Sequence, residues 1–245
     1  DYSEDAFVDK FSNIIETAKE YNCNTIIAHV RPFCDALYNS DIYPYSHVIT
    51  GSQGNNPNYD PLEIMCNMSK ENNLKIHAWI NPYRVSTKST PEKLSDHNPY
   101  IKNNSLGIIY EDAIYLNPAK KASRDLVIEG VKEIILNYNV DGIHFDDYFY
   151  PTENEDFDKA DYNQYLKSVK SQKDAMPLKE WRKHNVNMLI SQVYRTIKTT
   201  KPNIIFGISP QGNIDNDLSM GADVKSWCEN QGYIDYICPQ LYYSI

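Results

Sequence analysis

No two cysteines in this 245-residue sequence are spaced as CxxC, so neither a zinc ribbon nor a dithiol redox motif is available. The five cysteines are an odd number and cannot all pair within the chain. Cys23, Cys66 and Cys238 sit in apolar runs and read as small core residues, with Cys34 and Cys228 elsewhere. No apolar run approaches the ~20 residues that a membrane helix needs, and no signal peptide is visible. The chain opens on Asp1 rather than Met, which reads as a processed or excised piece, so its start does not report its compartment. It has no GxGxxG and no P-loop to seat a nucleotide, no HxH pair and no sequence repeat, and no cofactor is expected. Positive charge is also short. With 24 Lys and Arg against 33 Asp and Glu, the net charge of -9 disfavours a nucleic-acid or anionic-membrane partner.

Hydrophobic residues make up 41% of the chain, which marks it as globular rather than disordered. Its length suits one large α/β domain with a sizeable core, and residues 1–245 are read as one such domain. The 20 tyrosines gather in loops after the apparent strands. Aromatic rings near carboxylates suit sugar binding, and they equally suit core edges where the ring is buried and the hydroxyl wet.

Phe7, Phe11, Ile14, Ile15 and Ala18 recur at helical spacing and predict a helix over 4–21. Residues 25–30 form a β-rich run closed by Arg31-Pro32. Asp60-Pro61 then opens a second helix with a side-chain cap and a proline in the first turn. A strand over 75–80 follows, then a long excursion over 85–113 with little periodicity; loops of that length are usually functional or disordered. Asn117-Pro118 is expected to open a third helix, with Tyr115-Leu116 as its lead-in. A strand over 140–146, a polar segment to Pro177 with one short helix, and a fourth long helix ending before Pro202 come next. Residues 204–211 and 236–243 are the last strands, with a short helix over 224–229 between them. Five alternations of helix and strand predict a parallel sheet with covering helices.

The chain is organised around Val140-Asp141-Gly142-Ile143-His144-Phe145-Asp146-Asp147-Tyr148-Phe149-Tyr150-Pro151. Period-two alternation puts Ile143 and Phe145 on one face, and His144 and Asp146 on the other. A carboxylate at the mouth of a buried strand is costly unless something pairs with it or uses it. Arg31, Asn81, Gln211 and Gln240 occupy matching positions at the ends of the other strands, which predicts five polar residues converging on one mouth. In a (β/α)8 barrel the active site lies at that end of the strands. An open doubly wound sheet also places its crevice there, but the absence of a nucleotide motif favours the barrel.

Specific motifs then add a resemblance. Val30-Arg31-Pro32 with Asp35-Ala36-Leu37-Tyr38, Thr50-Gly51 and Tyr59-Asp60-Pro61-Leu62 come first. His77-Ala78-Trp79-Ile80-Asn81-Pro82-Tyr83-Arg84, the block around Asp146-Asp147, Gly207-Ile208-Ser209-Pro210 and Pro239-Gln240-Leu241-Tyr242 follow in order. Over nearly its whole length the chain resembles the glycosyl hydrolase-like family 10 proteins. The resemblance implies a TIM-type (β/α)8 barrel related to retaining glycosidases. It also implies bacterial export to the envelope or exterior, and a carbohydrate substrate drawn from envelope or other polysaccharides. One strand upstream and about two downstream are implied to be missing, so an incomplete barrel is expected. Asn117-Pro118 stands where Asp-Pro is expected in many members, at a position that caps a helix.

Glycoside hydrolysis needs two carboxyl groups, about 5 Å apart in retaining enzymes and wider in inverting ones. Asp146 is expected to be the principal carboxylate. Asp147 is expected either to turn into the site or to hold Arg31 or Arg84. Asp35, Glu111, Asp112, Glu153 and Asp215 lie in loops that could reach the mouth as second acids, or could be solvated loop charges. His77 and His144 either bond sugar hydroxyls or are satisfied strand histidines. Arg31 and Arg84 either orient a carboxylate or balance one. Tyr83, Tyr148, Tyr150 and Tyr242 are candidate stacking platforms, and Asn81, Gln211 and Gln240 complete the expected substrate contacts. Two other readings compete: a metal-dependent hydrolase drawing on His29, His77, His144, Asp146 and Asp147, and a carbohydrate-binding barrel without turnover.

Overall fold

The computed structural model describes residues 2–242. Ser3 accepts the Ala6 amide at 3.3 Å and starts helix α1 (Glu4–Glu20), whose Phe11 and Ile15 are buried in the hydrophobic core; strand β1 (Thr25–Arg31) follows. A long loop follows, with the one-turn α2 (His47–Thr50) closed by Gly51 at φ 79°. Asp60 caps α3 (Pro61–Glu71) by accepting the Leu62 and Glu63 amides, with Pro61 in the first turn as expected. Strand β2 (Lys75–Ile80) comes next.

The excursion over 85–113 is not structureless. It folds into a small antiparallel sheet of β3 (Arg84–Ser86), β4 (Gly107–Tyr110) and β5 (Ala113–Leu116) in the order β3-β5-β4, with the short α4 (Pro99–Lys102) between β3 and β4. These strands of three or four residues are too short to show a period, and the β4–β5 turn hides its signal as well. Glu111 and Asp112 take the left-handed conformation there, with φ of 49° and 64°, where Asn-Gly would be the usual sequence cue. Tyr115-Leu116 is therefore strand β5 and not the lead-in to a helix. The next helix, α5 (Lys121–Asn137), begins later than Asn117-Pro118; Asn117 caps a turn through the Ala119 amide and donates to Asp161.

Strand β6 (Gly142–Phe145), helices α6 (Lys159–Ser168) and α7 (Leu178–Thr200), strand β7 (Ile205–Ile208), helices α8 (Ile214–Ser219) and α9 (Val224–Glu229), and strand β8 (Tyr236–Ile237) complete the described chain. Tyr243 lies outside the described residues. The five expected strands form one all-parallel sheet in the order β1-β2-β6-β7-β8, with helices carrying the crossovers between them. Val30, Ile76, Ile80, Ile143, Phe145, Phe206 and Ile208 are fully buried, with Val127, Val131, Ile134, Leu189, Ile190 and Val193 of α5 and α7 in the same core. The Phe145 and Phe206 rings meet edge-on at 5.0 Å.

The polar segment after β6 is anchored by a buried ion pair. Arg182 of α7 reaches Asp158 at 2.6 Å and donates to the carbonyls of Thr152, Glu153 and Asn154. Of the cysteines, Cys34 and Cys66 are buried, whereas Cys23 and Cys238 are exposed, against expectation. Cys23 falls in the turn after α1 and Cys238 falls just past the short β8, where neither helices nor strands cover them.

Candidate active site

The register of the parallel sheet sets His29, Trp79, His144, Gly207 and Tyr236 side by side across five strands. His29 stacks on Trp79 at 3.9 Å and 8°, and Trp79 meets His144 edge-on. The Tyr236 ring lies over Gly207, and its hydroxyl sits 2.8 Å from Nδ1 of His144 and 2.9 Å from Nδ1 of His77. A hydroxyl has one proton. It donates to one imidazole and accepts from the other, so the two histidines hold opposite tautomers. Burial lowers both pKa values, that of His144 to about 4, which keeps both rings neutral at pH 7.

Asp146 stands where β6 ends and is 2% exposed. Its Oδ2 accepts from Trp79 Nε1 at 3.1 Å and Asn81 Nδ2 at 3.0 Å, and its Oδ1 from the Tyr148 amide at 3.2 Å. Asn81 is itself held by the Arg84 amide, at 2.8 Å from its Oδ1. Burial pushes the Asp146 pKa up to about 6; the Trp79 and Tyr148 hydrogen bonds and the Arg84 charge hold it down, and Asp147 adds to the rise. Asp147 is half-buried and turns the other way, towards the ends of β7 and β8. There Gln240 Nε2 donates to its Oδ1 at 2.9 Å and to the Ser209 carbonyl at 2.9 Å. Gln240 also pairs with Gln211 as an isolated parallel bridge. The Gln211 amide donates to Asp217, a buried acid on α8 whose pKa burial raises to about 7, with Asp147 contributing. Asp217 was not singled out in the sequence, since only the turn of α8 distinguishes it from exposed Asp215.

Arg84 spans the mouth. Its guanidinium lies over the rings of Phe33 at 4.6 Å and Tyr148 at 5.1 Å, and Nε donates to the Pro32 carbonyl. Tyr148 is 49% exposed and Tyr242 is 86% exposed, so both rings are open at the rim.

Several expected contacts lie elsewhere. Arg31 is buried on the helix side, against the Tyr43 ring and hydroxyl and Gly130 of α5. The cause is a bulge: His29 pairs with Trp79 but Arg31 with Ile80, so the alternation that predicted the mouth breaks between them. Tyr83 and Tyr150 are buried in the core and offer no platform. Asp35 is fully buried and ties down its loop through the Phe33 amide and Gln53. His77 and His144 are sealed within the sheet on Tyr236. Asp112 and Glu153 are exposed and paired with Lys88 and Lys179, Asp215 is exposed in the first turn of α8, and Glu111 is at the β4–β5 turn. Among the described residues, no three His, Cys, Asp or Glu side chains come together to hold a metal, and no helix is long and apolar enough to cross a membrane.

Parallel strands, covering helices and acids at the strands' carboxyl ends define a TIM-barrel-type α/β protein. The fold is shared with glycosidases such as the GH36 alpha-galactosidase AgaA from Geobacillus stearothermophilus, solved with raffinose; the TM-score is 0.56 at 15% identity, over 97% of this chain and 29% of that one. The chain belongs to the glycosyl hydrolase-like 10 family, whose model matches residues 6–245. It is 36% identical to glycosyl hydrolase YngK of Bacillus subtilis (strain 168), over 96% of this chain and 49% of that protein. It is 34% identical to glycosyl hydrolase DigH of Escherichia coli (strain K12), over 97% of this chain and 58% of that protein. The chain thus spans about half the length of these curated relatives.

Proposed function

We propose that the protein hydrolyses glycosidic bonds in a polysaccharide or bacterial envelope glycan, with Asp146 as the principal carboxylate and Asp147 as its partner acid. The observation that carries this reading is the fixing of Asp146 by Trp79, Asn81 and the Tyr148 amide in a buried setting. A carboxylate with a raised pKa near 6 is largely ionised at pH 7 yet poorly solvated, which makes it a strong base or nucleophile. Asp147 differs in being half-exposed, and two carboxyl groups in unlike surroundings suit the two roles that glycoside hydrolysis requires. Arg84 and Tyr148 form the adjoining rim, where a sugar ring can stack and its hydroxyls can be bonded. Export to the envelope or exterior, where such glycans lie, belongs to the same proposal.

The test is a screen of the full-length protein against envelope glycans and other polysaccharides, with Asp146→Asn and Asp147→Asn alongside. Each variant is expected to lose about 10²–10⁴-fold in turnover while its melting curve stays cooperative. Full turnover by Asp146→Asn overturns the assignment. Binding without turnover by the wild type would make it a carbohydrate-binding barrel instead.

A further inference from the structure

The loops that follow β1 and β3 flank an open cleft of about 530 Å³ lined by His47, Ser52, Gln53, Thr90, Lys93 and Ser95 among others. Its floor is tied together. Buried Gln53 donates to Asp35 at 3.1 Å and accepts from the Ser95 amide at 3.0 Å and Asn98 Nδ2 at 3.2 Å; Asn98 also donates to the Cys34 carbonyl. Three fully buried or nearly buried polar side chains thus fix the two loops against each other, so a ligand entering the cleft meets donors and acceptors already in place.

A continuous run of flat groups joins this cleft to the carboxylates. Exposed Tyr148, beside Asp146, lies 5.1 Å from the Arg84 guanidinium; Arg84 lies 4.6 Å over Phe33; and Phe33 meets His47, on the cleft wall, at 5.3 Å. Phe33, Arg84 and His47 are each partly open to solvent. Arg84 takes one face of the Phe33 and Tyr148 rings; the faces turned away from it suit the apolar faces of pyranose rings, and the hydroxyls and amides of the cleft suit their polar rims.

Resting on the glycosidase reading above, we propose that this cleft is a distal subsite for a linear oligosaccharide. One substrate chain runs from Asp146 along Tyr148, Arg84 and Phe33 to His47 and Gln53. The enzyme then acts on extended glycan chains, drawing binding energy from sugar units remote from the scissile bond.

The test measures binding by the full-length Asp146→Asn protein to disaccharide-to-hexasaccharide ladders from chitin and from bacterial cell-wall glycan. Ser52→Trp and, on the opposite wall, Thr90→Trp are added to fill the cleft. Affinity is expected to rise with chain length, and either tryptophan is expected to remove at least about tenfold of that rise. Circular dichroism checks each fold, and two independent walls guard against one misfolded variant. Affinity that ignores length, or a length dependence that both variants leave intact, overturns the subsite even if the enzyme cleaves glycans. Length-dependent binding that both variants abolish, with no turnover by the wild-type full-length protein, keeps the subsite as a binding cleft and overturns the hydrolase reading. No binding to any chain overturns the subsite.

Discussion

The ring of Tyr236 lies flat across Gly207, so close that a β-carbon on that glycine would stand within the ring. A side chain there would push Tyr236 out of the sheet and strip both histidines of their shared hydroxyl. Gly207→Ala is expected to cost at least 1–3 kcal/mol, the usual range for overpacking. Tyr236→Phe keeps the ring and leaves the two buried imidazoles without their hydroxyl partner, at about 1–3 kcal/mol. Urea unfolding of both variants measures this, and wild-type stability in Gly207→Ala would contradict the packing.

Arg182 and Asp158 form a buried pair whose arginine also satisfies three carbonyls of the segment after β6. Arg182→Ala leaves Asp158 charged and uncompensated, and is expected to cost about 3–5 kcal/mol. Limited proteolysis should then cut within residues 152–158, which the intact pair protects. Unchanged proteolysis and stability together would show that the pair contributes little.

Asp146 ties stability to pH. Its folded pKa of about 6 lies above the ~3.9 of an unfolded aspartate, so the folded chain holds the proton more tightly. Its contribution to stability is fully present below about pH 4 and is lost as the pH rises through 6, to the order of 3 kcal/mol. His29 and His144 work in the opposite sense. Burial lowers both to about 4, so their contribution is present above about pH 6.5 and is lost as the pH falls through 4. Asp146→Asn removes only the first effect. The stability of the wild type relative to this variant is therefore expected to fall between pH 4 and pH 7, and a flat difference would contradict the buried setting of the acid.

Trp79 acts on Asp146 through its indole N–H. Trp79→Phe preserves the stack on His29 and deletes that donor, so the Asp146 pKa is expected to rise further. The acid limb of the pH–kcat/KM profile should move to higher pH, and turnover at pH 6 should drop about tenfold or more. A purely structural role for Trp79 would lower stability without moving that limb.

The alternation of helices and strands was legible because each element carries its own period. Ile143 and Phe145 join the hydrophobic core while His144 and Asp146 bond Tyr236, Trp79 and Asn81, as period two requires, and Asp60 caps its helix through the Leu62 and Glu63 amides, two and three residues on. The short strands β3, β4 and β5 were not legible. Each is three or four residues long; β3 pairs with β5 about thirty positions away, as in Arg84 with Tyr115, and the local β4–β5 hairpin turns on Glu111-Asp112 without the usual cue.

The sequence alone determined that a parallel sheet would end in an acid pair with Asn81 and Gln240 at neighbouring strand ends, since those placements follow from local period and order. Only the tertiary structure decided that Arg31 leaves the mouth through a bulge, that Tyr83 and Tyr150 sink into the core, and that Asp147 and Asp217 meet around Gln211 and Gln240. Parity holds only along an unbroken ladder, and contacts between distant segments depend on register and on which turn of a helix faces inward, neither of which is written in local spacing.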